Sequence, residues 1–263
     1  MSRRLFSDRA FFSASALLFA ASAAITIVWS KSMSAVGGIP MPGGWEMSMA
    51  WMRMPGQTWA GAAASFVGMW IVMMVAMMLP SLVPMLSRYR EAVARTNDTR
   101  LGRLTAIVGA GYFLVWTMFG IATFPLSVTL AAIEMRQPTL ASAVPIAVGV
   151  IVMIAGAMQF SAWKSHNLAS CRELPACGVA LRADAPTAWR HGLRLGLHCA
   201  YCCVNLMAIL LIIGVMDLGA MAFVMTAITV ERLAPAGERA ARAVGAVVVV
   251  AGLLLIGQAV GLG

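Results

Sequence analysis

Apolar runs of about twenty residues recur along the chain, and every arginine and lysine falls in the short segments between them. A run of that length spans the hydrocarbon core of a bilayer as a helix, where the backbone must satisfy its own hydrogen bonds. The pattern predicts an all-α, polytopic membrane bundle of about seven transmembrane helices, over residues 10–29, 62–86, 104–132, 143–163, 195–215, 218–231 and 243–261. The sixth is short and open to tilting or half-insertion. Charged residues make up only 11% of the chain against about 25% in soluble domains, so no stretch is left to build a separate soluble unit.

The basic segments at 1–9, 87–103, 164–195 and 231–242 all fall on one side of such a bundle. The positive-inside rule makes that side cytoplasmic, with the N-terminus inside, as in the inner membrane of a bacterium. The net charge of +9 is therefore explained by topology, and nucleic acid is excluded as a partner. The lipid bilayer takes its place. Residues 10–29 also compete as a signal peptide, but the run is long enough to span, which favours a retained first helix. The chain then divides into a basic N-terminus (1–9), this helix, a Met-rich outer loop (30–60) and a membrane domain (61–263) carrying a Cys/His loop at 164–195.

Methionine is abundant, with 21 residues, and is concentrated in two places. The loop at 33–54 holds Met33, Met41, Met47, Met49, Met52 and Met54 among Gly and Pro residues that forbid a regular helix. Thioethers are soft ligands that select Cu(I). A headgroup-level anchor of Met and Trp is the plainer reading of the same loop. In the second helix Met69, Met73 and Met77 form one stripe, with Met74 and Met78 beside it, just before Pro80 and Pro84. Core packing competes with metal binding there too.

All five cysteines lie between 171 and 203. The segment His198-Cys199-Ala200-Tyr201-Cys202-Cys203 puts three of them beside a histidine within one predicted helix. At 100° per residue all four side chains fit one face, and the i,i+3 and i,i+4 pairs bring their Cβ atoms to about 5–6 Å. Thiolates in hydrocarbon are costly unless a cation neutralises them. Copper suits the Met-rich surroundings, with zinc as the second choice. Candidate ligands are His198, Cys199, Cys202, Cys203, Met73, Met77 and Met78, with Cys171 and Cys177 in the preceding loop as feeders or bystanders. Tyr201 and Asn205 are candidate supporting groups, and Glu231 reads as an ordinary interfacial charge.

The blocks Trp70-x-x-Met73-Met74-x-Ala76-Met77-Met78-x-Pro80-Ser81, Gln159 and Lys164 before Cys171-Arg172, Gly196-x-His198-Cys199-x-x-Cys202-Cys203-x-x-Leu206-Met207 and Gly214-x-Met216-Asp217 resemble an uncharacterised bacterial family of predicted metal-binding integral membrane proteins. The resemblance spans roughly 60–235 and departs from the family pattern near Asn167, Tyr201 and Asp217. It implies a multi-helix inner-membrane protein with a metal site and no established reaction. No ATPase, kinase or hydrolase motif is visible, and no run of intramembrane carboxylates suggests proton coupling. Three functions compete: handling a soft metal ion, with a soluble donor or acceptor protein as partner; thiol-redox exchange through Cys199, Cys202 and Cys203; and a structural subunit whose cysteines only pack.

Overall fold

The computed structural model of the chain describes residues 2–48, 51–53, 56–94, 100–173 and 183–261. The described residues form eight helices: α1 (Ser2–Val36), α2 (Trp59–Ala94), α3 (Leu101–Arg136), α4 (Pro138–Met158), α5 (Ala162–Glu173), α6 (Ala185–Ile213), α7 (Leu218–Leu233) and α8 (Gly237–Ala259). Six of them, α1, α2, α3, α4, α6 and α8, are long and apolar enough to cross a membrane. The exception among the seven expected spans is α7, whose 16 residues reach only about 24 Å at 1.5 Å per residue.

The helices also run past the expected boundaries. The last turn of α3 includes Glu134 and Arg136, beyond the expected end at 132; the link to α4 is the single residue Gln137. The start of α6 lies ten residues before the expected 195, because Asp184 caps it, with its Oδ1 accepting from the Thr187 amide at 2.9 Å. The supposed loop at 164–195 is therefore largely helical at both ends. Gly214 at φ 144° closes α6, and Asp217 starts α7 by accepting from the Ala220 amide.

The Met-rich segment is not all loop. Ile39–Met41 (β1) and Trp45–Met47 (β2) pair antiparallel across Pro42-Gly43-Gly44, with both glycines at positive φ. The hairpin docks on the start of α4: the Trp45 indole donates to the Ala141 carbonyl at 2.9 Å, and a Cβ on Gly43 would sit 3.0 Å from the Ser142 Cα.

Glycine sets which helices come closest. On α6, Gly192 and Gly196 form a small-xxx-small step against α3. A Cβ on Gly192 would lie 2.3 Å from the Val108 carbonyl oxygen, and one on Gly196 2.9 Å from that of Tyr112. On α4 and α8 the pairs Gly149/Gly156 and Gly245/Gly252 interlock likewise, and a Cβ on Gly252 would lie 2.7 Å from the Met153 amide nitrogen. The Trp70 ring of α2 fills the space that a side chain on Gly120 of α3 would take, and its indole donates to the Trp116 carbonyl at 2.8 Å. At one end of α1, Arg90 of α2 holds Asp8 at 2.9 Å; towards the other end, Ser30 donates to the Met216 carbonyl at 2.6 Å.

Candidate metal centre

The α3–α6 approach decides what surrounds the cysteines. Since Gly196 lets α6 lie on the Tyr112 backbone, Cys199, one turn further on, meets the Tyr112 side chain. The Tyr112 hydroxyl donates to Cys199 Sγ at 3.0 Å. Cys203, the next residue along the same stripe, has its sulfur 3.8 Å from that of Cys199. None of the three cysteines of the helix is in a disulfide, and all are essentially inaccessible to solvent.

A cation already stands at this pair. Arg232, in the last turn of α7 and 3% exposed, donates through one Nη to both Cys199 Sγ and Ser81 Oγ at 3.0 Å. Its second Nη lies 2.8 Å from Met85 Sδ. Ser81 and Met85 are i,i+4 neighbours on α2, so one face of that helix presents a hydroxyl and a thioether to the guanidinium.

Beside this cluster lies a second buried polar group. Lys164 of α5 forms an ion pair with Glu231 at 2.7 Å, both side chains 1% exposed. The Lys164 ammonium also donates to the Cys202 carbonyl at 2.7 Å, and Gln159 donates to the other Glu231 oxygen at 2.9 Å. A cavity of about 250 Å³ between the α4–α5 corner and α8 opens onto the Lys164 side of this pair. Glu231 is thus no interfacial charge: it ties α7 to α5 and, through Lys164, to the cysteine helix.

The expected ligands separate into groups. Cys199, Cys202 and Cys203 are buried in one cluster with Met73, Met77 and Met78. His198 is only half-buried, and its Nδ1 lies 2.9 Å from the Arg194 carbonyl oxygen on its own helix. It sits at the edge of the buried face. Tyr201, expected to support the site, is 58% exposed on the opposite face, while Asn205 donates to the Ala155 carbonyl of α4 instead. Cys171 falls in the last turn of α5, and Cys177 lies outside the described residues. In the Met-rich segment Met47, on β2 of the hairpin, is buried, and Met49 and Met54 lie outside the described residues. Sequence reasoning missed Tyr112, Arg232, Ser81 and Met85 as neighbours of the thiols. The only available signals were the Gly192-x-x-x-Gly196 step and a lone arginine ending a short apolar helix.

Chemically, the pair suits a soft ion. Two thiolates each about 2.3 Å from a shared ion can stand up to about 4.6 Å apart, so a pair at 3.8 Å needs no rearrangement of the helix. Among the described residues, no three of Cys, His, Asp and Glu gather closely enough to hold a metal by themselves. Among the described residues a third donor would be of another kind, and the buried thioethers of α2 are in the same cluster.

Comparison with known proteins bears on the same point. A family model named PpoB2 and described as a copper chaperone matches residues 67–255. No curated protein and no solved structure matches the chain.

Proposed function

The chain belongs to this family of copper chaperones, and from that premise we propose that it is a multi-pass protein of the bacterial inner membrane that binds Cu(I) through Cys199 and Cys203 and hands it on. Copper is cargo, and no catalytic step is needed. The observation that carries the reading is the buried sulfur pair at 3.8 Å, embedded in a methionine-rich core. Copper is favoured over zinc on the donor set: zinc wants four nitrogen, oxygen or thiolate ligands, and thioethers add little to it. A thiol-redox role is weaker, since the two sulfurs are nearly twice a disulfide bond length apart on one continuous helix.

The topology that fits this role puts the N-terminus and every basic segment on the cytoplasmic side. Helix α7 then makes an oblique seventh crossing, from the Ser30–Met216 contact at one end to the Lys164–Glu231 pair at the other. The cavity beside Lys164 opens on that inner side, where a soluble donor or acceptor of copper would have access.

The test is metal content. Protein purified anaerobically in detergent and loaded with Cu(I) should retain close to one copper per chain. The Cys199→Ser/Cys203→Ser protein should retain none. A double variant that keeps its copper, or a wild type that never holds any, sinks the proposal.

A further inference from the structure

We infer that the Arg232 guanidinium occupies the metal position in the copper-free protein, and that a Cu(I) ion displacing it is bound by Met85 as well as by Cys199 and Cys203. The inference rests on the copper reading above and extends it to two residues that neither the cysteine motif nor the methionine stripe singled out.

Three observations lead there. First, each Nη atom of this buried arginine is directed at a sulfur: one at a thiol, which shares it with a serine hydroxyl, and the other at a thioether. A thioether is a weak acceptor for N–H, yet a good ligand for Cu(I). Second, those sulfurs come from different helices, Met85 from α2 and Cys199 from α6, and the guanidinium is what stands between them. Third, the charge is right. Cys199 and Cys203 give up their protons on binding and become two negative charges, which one Cu(I) and the displaced but still nearby guanidinium together balance. A divalent ion would leave one positive charge in excess.

Arg232 ends α7 one residue before its last position, and the chain beyond it leads to the cavity side of the bundle through Ala234-Pro235-Ala236. Release of the sulfurs is a swing of the guanidinium about its own side chain. It thereby shields a reactive thiol when no copper is bound, and sets how tightly copper is held by competing with it.

The experiment is a Cu(I) titration against a chromophoric chelator, on anaerobically purified full-length protein in detergent. It compares wild type, Arg232→Gln, Arg232→Lys and Met85→Leu, with Cys199→Ser/Cys203→Ser as control. Removing the competitor should tighten binding about tenfold in Arg232→Gln, with Arg232→Lys between it and wild type. Met85→Leu conserves volume, so the fold should survive while affinity falls about tenfold. X-ray absorption at the copper edge should count three sulfur neighbours in wild type and two in Met85→Leu. Equal or weaker binding by Arg232→Gln, or three sulfurs remaining in Met85→Leu, overturns this inference and leaves the copper reading standing. Copper retained by the double cysteine variant fails the copper reading itself.

Discussion

Two pairs of helices in this bundle use glycine to approach closely, and they do different things with the proximity. In α4 and α8 the four glycines at 149, 156, 245 and 252 bring backbone against backbone, and a Cβ on Gly156 would sit 2.8 Å from the Val249 amide. The outward side of α8 is a lipid-like face of Val247, Val250, Leu253 and Leu254. This seam fastens the bundle, and its one polar extension is Gln159, which reaches Glu231 at its end. In α3 and α6 the same device at Gly111, Gly192 and Gly196 brings a tyrosine hydroxyl onto a thiol. Small residues fix how near two helices lie. What the seam then does is set by the residue one turn further on, which is Cys199 in one case and an aliphatic side chain in the other.

The largest effect expected of any single change is outside both seams, in the ion pair that joins them. Glu231→Ala leaves Lys164 charged and buried with its carboxylate gone, which should cost about 3–5 kcal/mol. The loss should appear as a collapse of the unfolding temperature in detergent. Lys164→Met on the same background removes the stranded charge and should recover most of that stability. A Glu231→Ala protein as stable as wild type would mean that the pair does not join the seams.

Alanine in the seams separates fastening from function. Gly192→Ala and Gly252→Ala each force a methyl group into space already filled by backbone, at 2.3 Å and 2.7 Å, and overpacking of this kind costs about 1–3 kcal/mol. Both should lower thermal stability. Only Gly192→Ala should also weaken Cu(I) binding, because only that seam holds Tyr112 against Cys199. Equal loss of copper affinity in the two variants would erase the distinction drawn between the seams.

The sequence carried the helical class and the cysteine face, because hydropathy and the 3.6-residue period act within a single segment. Boundaries were set further from view. The ten extra residues of α6 depend on Asp184 as a cap, and the extension of α2 to Ala94 includes Arg90, which α1 covers through Asp8. The site was legible only along its own helix. Cys199, Cys202 and Cys203 share a buried face as the period requires, but His198 stands at the edge of that face with its ring turned to Arg194. Its neighbours Tyr112, Ser81, Met85 and Arg232 come from three other helices, and no local pattern encodes which helix lies beside which. Glu231 illustrates the limit most clearly: a carboxylate ending a short apolar helix looks interfacial until Lys164, 67 positions earlier, is seen to meet it.

The smallest predicted effect is also the most specific to the working seam. Tyr112→Phe keeps the ring, and so keeps the α3–α6 packing, while removing one hydrogen bond to Cys199 Sγ. A single intramolecular hydrogen bond contributes about 0.5–1.5 kcal/mol, so unfolding should shift by a few degrees at most. The thiol should respond more than the fold. With the hydroxyl gone Cys199 loses a donor to its sulfur, so its alkylation by a membrane-permeant maleimide should be slower. Gly252→Ala, which does not touch the thiol, should leave that rate unchanged at equal stability. A faster rate in Tyr112→Phe would show instead that the tyrosine acts as a lid over the sulfur, making access rather than charge what the α3–α6 seam controls.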